Sequence, residues 1–324
     1  MEIIDDFGLP VALVTPADLP AEPWRGMTES VAIVRMTDPP HALRPGLTRR
    51  GFVCKPSTVT WLAPLGEHEG EFLRTLPHKS RQYVRRARRH IAAHGLREVV
   101  EDRISPASVD KFLTLYEDQV ARMRYGVAFA RRNRETILHG PQKYFGVFLF
   151  DRDELVGGCI ALECPDERAA RIRFSAVTDR ERAAGVPRAL YCTAMRVARE
   201  KDYAWATLGD DPNLYGHIAR PGLFTFKARM GFRAVPSQEF GDPYGCDEAD
   251  LVLSLDRLSD PTLMLEYLER PEYGAPDSGT AAHGPTGGGT LRSCVIARAP
   301  VDTRDYSARF LAATVVRPPG PARS

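Results

Sequence analysis

Two adjacent carboxylates, Asp210 and Asp211, stand just past an apolar run at 204–208. Ligand sites in open α/β folds gather beyond the carboxyl ends of strands. Neighbouring carboxylates raise each other's pKa, which suits a general base. The same pair would serve equally as capping or loop carboxylates. Tyr215 and His217 follow in Asp211-Pro-Asn-Leu-Tyr-Gly-His217, where a plain surface histidine is the other reading. A second chemical signal is Arg182-Ala-Ala-Gly185-Val-Pro187-Arg188, which leads into a helix. Glycine permits close backbone approach, and free amides with the helix dipole hold phosphate oxygens. Pro187 lacks an N–H and removes one donor; an ordinary loop-to-helix turn is the alternative. The third signal is arginine. Residues 79–89 carry six cations and no acid.

These residues need elements to position them. Val84, Ala87 and Ile91 recur at helical spacing, so the basic run is a helix with a narrow apolar stripe. Arg81, Arg85, Arg86, Arg88 and Arg89 occupy its other faces. Guanidinium suits phosphate better than ammonium does. A second basic cluster holds Arg122, Arg124, Arg131, Arg132 and Arg134. Either a solvated helix face or a phosphate-binding surface fits this density. Before it, β-prone runs at 10–15, 31–36 and 58–62 are interrupted by prolines, which predicts a small β-containing subdomain. A strand is expected at 96–100. Ser105-Pro106 then opens a helix, with Ser as cap, and a short helix follows at 130–138. Strands at 144–150, 155–164 and 170–177 form a meander joined by turn-rich links. A helix at 187–202, a buried strand at 204–208, a helix at 221–230 and strands at 232–235 and 251–255 complete the order βααβββαβαββ from Leu96. Residues 274–290 hold 6 Gly and 2 Pro, the composition of a flexible linker. Beyond it, 291–324 has β-prone runs at 294–297 and 312–316. The expected divisions are 1–94, 95–270, 271–290 and 291–324.

The chain has 324 residues, 43% hydrophobic and 27% charged, with a formal net charge of +2. That is an ordinary balance for a soluble domain or two, and it excludes collagen-like, coiled-coil and wholly disordered chains. Its apolar runs last a few residues, and a membrane span needs ~20. The first ten residues, acidic and without a long apolar core, do not read as a secretory signal. The net charge hides two opposed blocks. Residues 79–134 hold 14 Lys and Arg against 6 Asp and Glu; residues 236–280 hold 2 against 11. Six scattered cysteines make no CxxC pair, and the eight histidines show no metal-ligand spacing. A reduced, cytoplasmic protein without a structural metal is expected, its cysteines acting as small buried hydrophobes.

The element order and two motifs carry a family resemblance over about 96–258. This region resembles the GNAT acyltransferase superfamily, whose pyrophosphate loop has the pattern Gln/Arg-x-x-Gly-x-Gly/Ala. Arg182 and Gly185 match it, and Pro187 departs from it. The second motif is Gly222-Leu-Phe-Thr-Phe226-Lys227-Ala-Arg-Met-Gly231-Phe232. Its Phe-Lys pair, with the upstream segment at 211–217 and the arginine helix, is similar to the Fem branch, which includes aminoacyl-tRNA-dependent peptidyltransferases. The resemblance implies an α/β fold: a GNAT-like mixed, splayed β-sheet flanked by helices, beside the small N-terminal β-containing subdomain. It implies amide formation, in which an amine attacks a thioester or an aminoacyl ester. It places Phe226 at the 3′ end of a charged tRNA and Lys227 at the developing oxyanion. It assigns the acyl carbonyl to the backbone of Phe174, Ser175, Ala176 and Val177, and donor phosphates to Arg182, Gly185 and Arg188. Base candidates are then Glu163, Asp210, Asp211 and His217; Tyr191 and Tyr215 are candidates for protonating the leaving group. The co-substrate is aminoacyl-tRNA or acyl-CoA, with tRNA preferred, and no tightly bound cofactor is implied. The acceptor is a small-molecule or peptide amine. A non-catalytic module that binds RNA or a partner is the alternative from another class.

Overall fold

The computed structural model describes residues 1–269 and 290–320, so the expected linker falls outside the described residues apart from Thr290. In chain order the first elements are β1 (Glu2–Asp6), β2 (Leu9–Leu13), β3 (Ile33–Thr37), α1 (Arg44–Arg49), β4 (Val53–Pro56), β5 (Thr58–Pro64), α2 (Glu69–Thr75), α3 (His78–Ala93) and β6 (Arg97–Glu101). There follow α4 (Pro106–Val120), α5 (Phe129–Arg132), α6 (Arg134–His139), β7 (Tyr144–Asp151), β8 (Glu154–Cys164), β9 (Ala169–Val177), α7 (Asp179–Ala183) and α8 (Val186–Glu200). The last are β10 (Trp205–Pro212), α9 (Pro221–Arg229), β11 (Arg233–Pro236), β12 (Asp247–Val252), β13 (Thr262–Glu269), β14 (Thr290–Ile296) and β15 (Thr314–Arg317). Two compact units result, and they interleave along the chain rather than following the expected sequential divisions. One comprises Met1–Thr60, Asp210–Ala228 and Arg233–Ser324; the other comprises Trp61–Gly209 and Arg229–Phe232.

The first unit contains a five-stranded sheet of order β1-β2-β3-β12-β4 and a three-stranded sheet of order β13-β14-β15. One face of the larger sheet buries Val34, Met36, Cys54, Ala249 and Leu251 with Trp24 and Phe52. Its other face buries Ile33, Val53 and Val252 against Met264, Cys294 and Ile296 of the smaller sheet. The C-terminal segment therefore supplies core strands. The apolar run at 251–255 placed the last strand too late. The observed β12 is Asp-Glu-Ala-Asp-Leu-Val, and its carboxylates are paired across strands rather than solvated. Asp250 lies opposite Arg35 of β3, and Glu248 lies opposite Lys55 of β4. A strand that buries charge against charge has no apolar signature to find.

The second unit is built on strands in the order β5-β10-β9-β8-β7-β6. The meander β7-β8-β9 is antiparallel, whereas β9 and β10 are parallel, so the sheet is mixed. Helices cover both faces, because successive strand residues point to opposite sides. Phe148, Ile160, Phe174 and Ala176 pack with Val109, Phe112 and Leu113 of α4, while Cys159 Sγ reaches the Leu190 carbonyl of α8 on the other face. Ser105 caps α4 as expected, accepting from the Ser108 N–H at 3.2 Å. The feature that matters most is a break in pairing. β10 pairs with β9 only at Trp205–Ala169, Ala206–Ala170 and Thr207–Arg171. β9 continues to Val177, so its last six residues leave β10. This is the GNAT-like splay that the resemblance implied.

The cysteines are free thiols. Burial pushes Cys159, Cys192 and Cys294 up to about 12, which leaves them protonated at neutral pH. Among the described residues, no helix is long and apolar enough to cross a membrane.

Candidate functional site

In the first unit, Asp211, Tyr215 and Lys227 come together. Lys227 sits on α9 three residues after Phe224, and these two are the residues that α9 buries. Lys227 Nζ donates to Asp211 Oδ1 at 2.7 Å. Tyr215 donates from its hydroxyl to Asp211 Oδ2 at 3.1 Å. The side chains of Lys227 and Asp211 are only 7% and 9% exposed, so Lys227 is not a surface helix cation. Burial pulls the Lys227 ammonium below its ordinary 10.5, against the opposing pull of Asp211 and Asp210. Phe224 is fully buried and meets the Tyr215 ring edge-on at 5.8 Å. Phe226, two positions on, lies on another face and is half-buried.

Asp210 and Asp211 do not lie side by side, although both act on the Lys227 ammonium. They are neighbours in a strand, so their side chains point to opposite faces. Asp210 is exposed and accepts from the Thr60 hydroxyl. The expectation of two carboxylates acting on each other side by side gives way to one buried, cation-paired carboxylate and one at the surface. Asn213 fixes this end of β10. Its Nδ2 donates to the Pro56 and Leu265 carbonyls at 2.9 and 2.8 Å, and its Oδ1 accepts from Leu265 N–H at 2.7 Å.

His217 is directed elsewhere. Its Nε2 lies 3.1 Å from the Asp6 carbonyl, and it lines a cavity of about 40 Å³ with Asp6, Arg35, Lys55 and Glu248. Gly216 is required before it, because a Cβ there would collide with Thr262 Oγ1. Beside that cavity lies a four-charge square. Arg35 meets Asp250 through two hydrogen bonds of 2.8 and 2.9 Å. Lys55 Nζ lies 2.5 Å from Glu248 and 3.2 Å from Asp250. Lys55 is 1% exposed and Asp250 fully buried. Burial would raise the Asp250 carboxyl, but Arg35 and Lys55 outweigh it and hold the group below its ordinary value.

The second unit places the donor-site residues along β9 and the segment after it. Phe174 packs in the core against Tyr116, and Ala176 is buried with it, so any contact they make with a donor is through backbone. Ser175 Oγ and Tyr191 OH are 2.7 Å apart, and burial pushes Tyr191 up to about 12. The Val177 N–H donates to Gln119 Oε1 at 3.4 Å, and Arg182 Nη2 donates to the same oxygen at 2.5 Å. Gly185 caps α8 with φ +80°, a left-handed turn that favours glycine. The amides around it are consumed locally: Gly185 N–H donates to the Arg182 carbonyl and Arg188 N–H to the Gly185 carbonyl. Pro187 has none to give. The amide cradle read from the sequence is thus largely closed on itself. Arg188 stacks its guanidinium 5.1 Å above the Tyr83 ring. Glu163 accepts from Tyr203 at 2.9 Å and lies 3.0 Å from Lys201, a structural pairing at the far end of β8 from Gly157 and Val177.

The arginines of α3 divide into two groups. Arg85, Arg86 and Arg89 are exposed. Arg88 is engaged with Glu69 at 2.7 Å, and Arg81 donates to the Leu76 carbonyl at 3.1 Å. Among the described residues, no group of three or more His, Cys, Asp or Glu is placed to hold a metal. Sequence reasoning missed Gln119, Thr60, Asn213 and Phe224. Only Phe224 carried a signal, its spacing of three from Lys227.

No family model matches the chain, and no curated protein does. Among solved structures, FemX aligns with a TM-score of 0.43 at 15% identity, over 76% of this chain and 81% of that one. L-PGS from Bacillus licheniformis gives 0.37 at 13%, over 76% and 78%. A tandem GNAT protein from the clavulanic acid biosynthesis pathway gives 0.36 at 13%, over 76% of each chain.

Proposed function

We propose that the chain is an N-acyltransferase that joins an activated acyl group to an amine, with aminoacyl-tRNA as its preferred donor. The observation that carries this reading is the loss of β9–β10 pairing after three residue pairs. A strand that leaves its neighbour exposes backbone donors and acceptors that a ligand can use. In the reaction, the amine nitrogen attacks the carbonyl carbon and a tetrahedral oxyanion forms. The ester C–O bond then breaks, the nitrogen gives up a proton, and the leaving oxygen gains one. A buried ammonium held by Asp211, whose other oxygen accepts from Tyr215, is a preorganised charge, and such charges act on developing oxyanions with little reorganisation. Lys227 is assigned that role, which follows the resemblance of its motif. Tyr215 and Asp211 orient it.

Two observations favour tRNA over coenzyme A. Arg85, Arg86 and Arg89 are exposed on one helix, as backbone phosphates of a nucleic acid require. The loop after β9 spends its amides internally, which weakens a pyrophosphate grip. Acyl-CoA is the second reading, supported by Arg182 and by the left-handed Gly185 at the start of α8. Competition between charged tRNA and acetyl-CoA, followed by thermal shift and calorimetry, tests the choice. Charged tRNA is expected to stabilise the protein and acetyl-CoA to compete poorly. A reversed order moves the donor to acyl-CoA. Binding of RNA with no loss of cellular activity in Lys227 and Asp211 variants would support a non-catalytic module.

A further inference from the structure

Gln119 lies in the last turn of α4 and reaches the open end of β9. Its side-chain oxygen accepts two hydrogen bonds, from Val177 N–H at 3.4 Å and from Arg182 Nη2 at 2.5 Å. All three residues line a cavity of about 710 Å³ in the second unit, a size that suits a sizeable organic ligand. Of the other two cations that line the cavity, Arg122 meets Asp179 at 2.6 Å and Lys111 donates to the Asp153 carbonyl at 3.0 Å. Positive charge available to a ligand oxygen at this point therefore comes from Arg182. A carboxamide oxygen has the same sp² character and acceptor geometry as the carbonyl oxygen of an ester or thioester. The hydrogen bond from the Val177 N–H, at 3.4 Å, is long, and Arg182 is exposed, so the arrangement is cheap to undo.

The resemblance already places the activated carbonyl at the backbone of this strand end; we infer that Gln119 competes with the donor's carbonyl oxygen for the Val177 N–H and Arg182. This rests on the acyl-transfer reading and adds an internal competitor to it. Gln119 sets how tightly an acylated ligand is held, because the ligand must displace the Gln119 oxygen before its own carbonyl can take that place. The shared chemistry is an activated carbonyl, whether carried on tRNA or on coenzyme A.

Calorimetric titration tests this with two acylated probes, acetyl-CoA and an aminoacyl-tRNA carrying a non-hydrolysable amide link at its 3′ end. Coenzyme A and uncharged tRNA serve as probes without the carbonyl. Gln119→Ala is expected to tighten the acylated probe that the wild type binds by roughly threefold to tenfold, the worth of one net hydrogen bond. The matching probe without the carbonyl is expected to gain clearly less. Gln119→Glu, with a charge-assisted bond to Arg182, is expected to weaken the acylated probe. Gln119→Met keeps the length of the side chain and guards against loss of packing; it should behave as Gln119→Ala does. Faster hydrogen exchange at the Val177 amide in Gln119→Ala would show the released donor directly. Equal affinity of wild type and Gln119→Ala for the acylated probe overturns the proposal and leaves acyl transfer standing. Failure of both acylated probes to bind wild type and variants overturns both.

Discussion

Lys227 and Asp211 form an ion pair of 2.7 Å in which each side chain is more than nine-tenths buried. Desolvating two charges costs as much as their attraction returns, so such a pair is weak support for stability in itself. Breaking it by removing one partner is different, because a lone charge then stays buried. Asp211→Asn is expected to lower unfolding free energy by about 3–5 kcal/mol, read by urea denaturation. Asp210→Asn, at an exposed position where the amide oxygen can still accept from Thr60, should cost clearly less than Asp211→Asn. The double change Asp211→Asn with Lys227→Met should cost less than the sum of the single changes; strict additivity would mean the two groups do not interact.

Burial holds the Lys227 ammonium below 10.5, which gives a direction for pH dependence. A cation that stabilises an oxyanion works only while protonated. Acyl transfer should therefore fall as pH rises through a value lower than 10.5. Lys227→Arg should move that limb to higher pH, since guanidinium stays charged. Lys227→Ala should lower kcat by roughly 10²–10³ with little change in donor affinity. A kcat/KM profile in the three proteins checks this, and an unchanged kcat in Lys227→Ala removes Lys227 from the chemistry.

The charge square of the first unit predicts acid sensitivity. Asp250 has a folded pKa held below its ordinary 3.8 by Arg35 and Lys55, against burial. Its contribution to stability is complete above the unfolded value and is lost as pH falls through the folded one. Stability should therefore drop below about pH 4, where unfolded aspartate begins to bind protons. Asp250→Asn should flatten that acid limb and cost about 3–5 kcal/mol at neutral pH. Chemical denaturation from pH 2 to 7 reads both effects.

The exposed arginines of α3 predict a salt dependence. If they meet phosphates, the slope of log K for RNA against log salt should shrink in the triple variant Arg85→Ala, Arg86→Ala, Arg89→Ala, by about 0.7–0.9 for each phosphate no longer neutralised. Arg81→Ala should leave the slope nearly unchanged, because Arg81 serves the Leu76 carbonyl. An identical slope in wild type and triple variant would deny α3 a phosphate role.

The legible parts of the fold are those in which apolar periodicity decides the element. The meander β7-β8-β9, the capped helix α4 and the amphipathic α3 were readable because each buries one regular set of apolar residues. β12 was displaced in the reading because it buries Glu248 and Asp250 against Lys55 and Arg35, a pattern that resembles a solvated loop. The interleaved units were hidden for the same reason: Asp250 and Arg35 are 215 residues apart, and nothing local marks them as partners. At the candidate site, the directions of the side chains were not readable. The alternation of β10 separates Asp210 from Asp211, and Gln119 had no motif to mark it.

The most direct test of the central claim is transfer itself. Labelled aminoacyl-tRNA is mixed with a panel of primary amines, and acid-stable labelled amide is measured over the non-enzymatic rate. Acceleration by the wild-type protein is expected with at least one amine, with loss in Lys227→Ala. Tight binding of the charged tRNA without any amide formed above background, or equal rates in wild type and Lys227→Ala, would contradict the account.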